Sequence, residues 1–371
     1  MNSLCHKVLN SAERELGPLG SPELVFGAAT FSYHYNTDEF LTSDIPFRTV
    51  RLALRYGINV FDTAPYYGNS EIVLGTVLKA LQPEFPRTSY KLITKCGRYS
   101  PGQDGFDYSP ATIRTGILRS LARLHTGYLD AVYLHDVEFV CTKVASKSTG
   151  NHATALKEDK AAYGLLEGEE GKIWGEGDQK ILDAIGELRK LKQEGLIRNI
   201  GISGFPLPTL LRLALLVLHT PPYEPLDIIL SYSHLCLQNA TYSEFIPHFR
   251  DRAQIRNVLT ASPLSMGLLT PSPPIWHPAP EPLRGAIEEA NKQCAEWDGG
   301  LVNIAVGYAL RRAKDVPTVV GFSKPREVHE NVRVWREVQD DVEGHRRKEL
   351  ENKCVGIFRT AGYLDWDWAT A

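Results

Sequence analysis

Eight short apolar runs of strand type alternate with helical stretches along this chain. The runs are Leu24–Phe31, Val60–Asp62, Lys91–Cys96, Ala131–His135, Ile197–Ser203, Asp227–Ser233, Asn257–Ser262 and Pro317–Phe322. Helical periodicity fills the gaps at Arg48–Tyr56, Ser70–Leu81, Ala111–Leu124, 179–194, Leu207–Leu218, 242–254, 286–297, 301–313 and Pro325–Val338. Strands that alternate with helices pair in parallel, because each helix carries the chain back across the sheet. The pattern therefore predicts an α/β chain built on a parallel barrel. In such a barrel the chemistry sits at the C-terminal ends of the strands.

Three successive runs end in an ionisable residue. Asp62 closes the second run, and the turn Thr63-Ala64-Pro65-Tyr66-Tyr67-Gly68 follows it, with Ser70 and Glu71 opening the next helix. Lys95 lies at the end of the third run and His135 at the end of the fourth. Together they suit alcohol and carbonyl chemistry. A free phenol has a pKa near ~10, too high for an efficient base at neutral pH. An adjacent ammonium lowers it. Asp62 would hold that ammonium, and a histidine would orient the reacting oxygen. None of this requires a metal.

The segments FDTAPYYGNSE, LITKCG and YLHD, in this order at these strand ends, resemble the catalytic tetrad of the aldo-keto reductases. The resemblance implies a (β/α)8 TIM barrel and a nicotinamide cofactor. It assigns Tyr67 as acid/base, Lys95 as its pKa modifier, Asp62 as the partner of Lys95, and His135 as substrate orienter. It also places the cofactor in the second half of the chain. There is no Gly-x-Gly-x-x-Gly after the first strand to support a Rossmann reading. Instead, the run from Gly321 to Asn331 meets a helix start, the kind of place where barrels bind phosphate. Gly321, Ser323, Lys324, Glu330 and Asn331 are the expected contacts there. Ser203, Ser231, Ser262 and Leu264 are expected on the nicotinamide side. Three positions depart from the family pattern: Gly204 replaces an Asn, Ser231 a Gln, and Ala261 a stacking Tyr. Members that prefer NADP carry an Arg four residues before the matching Asn, and here that residue is Glu327. A carboxylate repels a 2′-phosphate and accepts ribose hydroxyls, so NAD is expected, with residual NADP use through Lys324 and Arg326.

The strings ILSYSHLCLQN and TASPLSMGLLTPSPPIWHPAP resemble the sugar dehydrogenases of that family, over about residues 22–338. The implied reaction is oxidation of an aldose at C1 to the aldonolactone, in an ascorbate-like pathway. D-arabinose is the first expectation, with L-galactose and L-fucose accepted. Tyr33, His135, Trp276 and His277 are the expected substrate contacts, and Tyr232-Ser233-His234 adds an aromatic platform. The rival readings are an NADPH-dependent aldehyde or ketone reductase and a non-catalytic nucleotide-sensing subunit with the same fold.

A bare barrel of this kind needs about 250 residues, and this chain has 371. The excess is expected in a single domain as a loose lead-in over 1–20, a polar flexible insertion over 141–178, and a polar tail over 339–371. The net charge of −3 gives no bias toward nucleic acid. Six scattered cysteines without Cys-x-x-Cys spacing argue against zinc or a disulfide framework and for a reducing compartment. No convincing signal peptide or membrane-length apolar run occurs, so a cytoplasmic protein acting on a small-molecule sugar is expected. The oligomeric state stays open.

Overall fold

The computed structural model describes residues 16–145 and 147–368. Eight parallel strands close into a barrel in sequence order: β1 (Leu24–Gly27), β2 (Val60–Asp62), β3 (Lys91–Cys96), β4 (Ala131–His135), β5 (Ile200–Gly204), β6 (Ile228–Tyr232), β7 (Asn257–Ala261) and β8 (Thr318–Gly321). The last strand pairs with the first, Gly27 against Gly321, and closes the ring. Around it run α1 (Asp38–Thr42), α2 (Ile45–Arg55), α3 (Ser70–Leu81), α4 (Pro110–Arg123), α5 (Glu176–Gln193), α6 (Leu207–Leu218), α7 (Tyr242–Pro247), α8 (Glu281–Gln293), α9 (Gly300–Ala313), α10 (Pro325–Gln339) and α11 (Gly344–Thr360).

The strand period of two sorts the side chains. Val25, Val60, Ile93, Ala131, Tyr133, Ile228, Leu230, Leu259 and Val319 fill the barrel interior. Their neighbours Phe26, Phe61, Leu92, Val132, Ile202 and Ile229 face the helices in the main core. One step further along the interior rows stand Asp62, Lys95, His135, Ser203 and Tyr232, so the same alternation that builds the core delivers the rim. Helix packing also needs close approach: a Cβ on Gly75 in α3 would lie 2.1 Å from the Arg123 carbonyl oxygen at the end of α4.

Several segments differ from the sequence-based expectation; β1 stops at Gly27 rather than Phe31 and β5 starts at Ile200 rather than Ile197. Residues 1–15 lie outside the described residues, but 16–21 are not a loose lead-in. Leu16 and Ser21 pair across a tight turn, and buried Leu19 plugs the barrel floor, its amide donating to Asn257 Oδ1 at 2.8 Å. The 242–254 helix is α-helical only to Pro247. Proline offers no amide donor, and a wider turn follows over His248–Arg252. Helix α8 begins at Glu281, five residues before the expected start at 286, because Pro282 is well placed in a first turn. The polar tail contains α11, which packs on α8 and α9 around Cys294, Ile304, Cys354 and Phe358.

The insertion carries two short 3₁₀ turns, His152–Leu156 and Lys160–Tyr163, with Ala155, Tyr163 and Leu165 buried in the main core. Its anchor is a buried ion pair. Arg212 of α6 holds Asp178 through both oxygens, at 2.7 and 3.0 Å, and also donates to the Thr142 carbonyl at 3.0 Å. Asp178, in the first turn of α5, accepts the amides of Thr142 and Trp174 as well. Among the described residues no helix is long and apolar enough to cross a membrane.

Candidate active site

Asp62, Tyr67, Lys95 and His135 converge at the C-terminal mouth of the barrel. Lys95 Nζ donates to Asp62 Oδ1 at 2.5 Å and to the Thr63 carbonyl at 3.0 Å. The ammonium lies 4.8 Å from the centre of the Tyr67 ring. The Tyr67 and His135 rings meet edge to face, with centroids 5.6 Å apart. Tyr66 flanks His135 in the same way at 5.7 Å, and the Tyr108 hydroxyl fixes the His135 carbonyl at 2.7 Å. Asp62, Lys95 and His135 are all buried.

Burial and charge oppose each other here. Burial alone would pull Lys95 down, but Asp62 and Tyr67 more than offset it, so Lys95 is raised and stays an ammonium. Burial pushes the Tyr67 phenol up to about 12, because the pull of Lys95 does not fully compensate. The ammonium thus limits the rise without bringing Tyr67 below its ordinary value, so desolvation outweighs the lowering expected from the sequence. Burial, then Lys95 and Arg98, hold His135 well below the usual histidine range. It is therefore a neutral imidazole with one donor and one acceptor.

Sequence reasoning missed a second charged layer beside the tetrad. Arg98, three residues beyond Lys95, forms an ion pair with Asp136 and stacks over Tyr66 at 3.8 Å. Asp136 Oδ2 is 3.6 Å from His135 Nε2, and Asp136 takes a left-handed backbone conformation with φ 55°. Glu138 is pushed up to about 8 by burial and by Asp136. Its Oε1 accepts the Phe205 amide at 2.9 Å, and its Oε2 stands 2.3 Å from where a Cβ of residue 204 would be. That contact gives a physical reason for Gly204.

The expected cofactor residues divide. Ser203 pairs in register with His135 and lies in the inward row. Ser231 points the other way and bonds the Phe205 carbonyl and His234, leaving Tyr232 inward. Ser262 adopts φ 58° and bonds Val319 O through its amide, while Leu264 packs between the two larger cores. Gly321 ends β8 on the rim, and Asn36 holds Ser323 at 3.0 Å. Glu327 caps α10 by accepting the amides of Ser323 at 2.6 Å and Lys324 at 3.3 Å. Glu330 pairs with Arg326. Asn331 donates to the Glu327 carbonyl, and its Oδ1 is enclosed with no partner. These features fit a nicotinamide dinucleotide along the β8–α10 edge.

The expected substrate residues divide too. Tyr33 is half exposed above the tetrad turn, its hydroxyl accepting from Asn69 at 2.6 Å. Trp276 is exposed. His277 is buried, and both its ring nitrogens are used internally, by the Ser265 carbonyl and the Ala279 amide. Its ring faces Trp368 at 4.8 Å, and Trp368 stacks on Phe205 at 4.7 Å. The C-terminal segment thus forms part of the rim. Asp367, held down to about 2 chiefly by His234 against the effect of burial, joins His234 at 3.0 Å and His152 at 3.1 Å. No periodicity or motif marks these residues in the sequence. Among the described residues, no group of His, Cys, Asp or Glu forms a metal-binding cluster.

The chain is 36% identical to L-galactose dehydrogenase of Arabidopsis thaliana over 330 residues, covering 88% of this chain and 89% of that protein. It is also 36% identical to D-arabinose 1-dehydrogenase of Saccharomyces cerevisiae over 309 residues, covering 82% and 80%. Among solved structures it resembles an aldo-keto reductase from Bacillus halodurans in its holo form, with a TM-score of 0.60 and 24% identity, covering 88% of this chain and 95% of that one. The Aldo/keto reductase family profile matches residues 23–350. With a parallel eight-stranded barrel, a tyrosine–lysine–aspartate–histidine cluster at its mouth and this family match, the chain is an oxidoreductase and belongs to the aldo/keto reductase family.

Proposed function

We propose that the protein oxidises a free aldose at C1 to the aldonolactone with NAD⁺, D-arabinose first, with L-galactose and L-fucose also accepted. The observation that carries the reading is the Tyr67–Lys95–Asp62 arrangement beside a neutral His135. The two sugar-dehydrogenase relatives support the substrate class. In the cyclic sugar, neutral His135 donates to the C1 hydroxyl oxygen and fixes it. Tyr67, as the phenolate that Lys95 stabilises, takes the hydroxyl proton and becomes the neutral phenol. Asp62 keeps Lys95 charged and in place. NAD⁺, when bound, would supply the acceptor for the C1 hydride, and Ser203, Ser262, Leu264, Gly321, Ser323, Lys324, Glu330 and Asn331 would hold it, whereas the outward-turned Ser231 would not reach it. The five described free thiols are buried or half-buried and fit a cytoplasmic enzyme.

NAD preference follows from Glu327. Its carboxylate already accepts the amides of Ser323 and Lys324, immediately before α10, and would repel a 2′-phosphate placed there. Glu327→Gln keeps the hydrogen-bonding shape and removes the charge. The expected result is a shift of kcat/KM toward NADP⁺ by about tenfold relative to NAD⁺. An unchanged ratio would place the 2′-phosphate elsewhere.

One observation favours a second reading. A phenol pushed up to about 12 holds its proton firmly and suits an acid in carbonyl reduction. Initial rates with the three sugars, each with NAD⁺ and NADP⁺, separate the two. Sugar oxidation linked to NAD⁺ supports the dehydrogenase. Inert sugars with NADPH-linked reduction of simple aldehydes would replace it with the reductase.

A further inference from the structure

We propose that Asp136, oriented by Arg98, is the specificity-determining residue for a polyhydroxylated substrate: it accepts the hydroxyl next to the reacting carbon. This rests on the aldose reading above and adds the atom that recognises the sugar.

Geometry carries the inference. His135 Nε2 and Asp136 Oδ2 are 3.6 Å apart, near enough for one sugar to bridge the two side chains through oxygens on adjacent carbons. With His135 on the C1 oxygen, the next oxygen along the ring comes within reach of the Asp136 carboxylate. Arg98 holds Asp136 Oδ2 in an ion pair. Among the described residues, Oδ1 receives no hydrogen bond and is not among the fully enclosed atoms, so one acceptor remains for a ligand. The left-handed backbone at Asp136 is uncommon for a residue with a side chain, and such conformations cluster at functional sites.

The surroundings suit a sugar rather than an apolar aldehyde. Arg98 lies over Tyr66 and is flanked by Phe106 and Phe139, at 5.1 and 5.4 Å from their centres. Arg98 is thereby fixed in place, and its Nε is enclosed without a partner. Tyr66 and Tyr67 both pack edge to face on His135, 6.1 Å from each other, giving apolar surface beside the polar pair. Tyr232, inward on β6, completes the wall. A substrate without a second hydroxyl would leave Asp136 desolvated and unpaired on that side, a penalty that discriminates strongly between substrates.

The test compares D-arabinose with 2-deoxy-D-ribose, the same pentose without the C2 hydroxyl, in wild type and Asp136→Asn. The expected loss of kcat/KM in the variant is about ten- to a hundredfold for D-arabinose, the effect of one hydrogen bond to a charged acceptor. For the deoxy sugar the expected loss is under about twofold, because the contact is already missing. NAD⁺ affinity, followed by the quenching of protein fluorescence, stays unchanged. Equal losses on both sugars would overturn the inference while leaving the aldose reading intact. A wild type that oxidises neither pentose nor the two other sugars overturns the aldose reading and this inference with it. If Asp136→Asn does not fold, Arg98→Gln gives the same comparison. It frees the carboxylate, so it is expected to weaken discrimination between the two pentoses by at least about fivefold. Unaltered discrimination in that variant counts against the proposal.

Discussion

Replacing Tyr67 by Phe is expected to lower turnover by about 10²- to 10⁴-fold, the range for losing a positioned acid/base group. The ring contacts with His135 and Lys95 survive the change. Cofactor binding and thermal stability should therefore be preserved, and calorimetry with NAD⁺ titration checks both. The pH dependence follows from the same residue. Tyr67 is pushed up to about 12, so its basic form is scarce at neutral pH. Oxidation needs that form and should rise up to about tenfold per pH unit from neutral into the alkaline range, until another step limits. Reduction uses the protonated form and should stay flat over the same window. Lys95→Met removes the main cation opposing desolvation and should move the alkaline limb higher still. A wild-type oxidation rate independent of pH between 7 and 10 would remove Tyr67 from the base role.

Asp178→Ala is expected to destabilise the fold by about 3–5 kcal/mol, the cost of leaving one member of a buried ion pair alone. Arg212 is almost fully enclosed and would lose both contacts to the carboxylate, keeping only the Thr142 carbonyl. The amides of Thr142 and Trp174 would lose their acceptor too. Denaturant unfolding measures the loss directly. Replacing the pair by Asp178→Leu with Arg212→Leu should cost much less than Asp178→Ala, because no isolated charge remains. A loss below about 1 kcal/mol for the single variant would mean that the insertion relaxes to admit water.

The barrel and the convergence of Asp62, Lys95 and His135 at its mouth were legible in the sequence because both obey short periods. A strand end is a local feature, and Asp62, Lys95 and His135 each end a recognisable apolar run. Ser203 follows by the same logic. Ser231 shows where the reasoning ends: the strand was identified, but which of two adjacent residues turns inward depends on register. The sequence pointed to Ser231, and the alternation set by Ile228 and Leu230 turns Tyr232 inward instead. His277 was credible as a sugar contact by type, yet loop closure uses both its nitrogens. Asp367 and Trp368 were invisible for another reason: their partners His152, Phe205 and His234 are distant in sequence and follow no repeat. The insertion gave no periodic signal because its order comes from Arg212, on a helix beyond it.

Closure of the barrel has a consequence for how this protein is made. β1 is the first of the eight strands to be synthesised, and one of its two partners is β8, about 290 residues later, with Thr30 reaching the Phe322 carbonyl beside it. At ribosomal speeds of ~5–20 residues per second, one edge of β1 waits roughly 15–60 s for its match. During that time the nascent sheet presents an unpaired edge that invites pairing with other chains. Such long-range closure is slow to nucleate. Messages truncated before β8 should therefore yield aggregating fragments instead of smaller stable barrels.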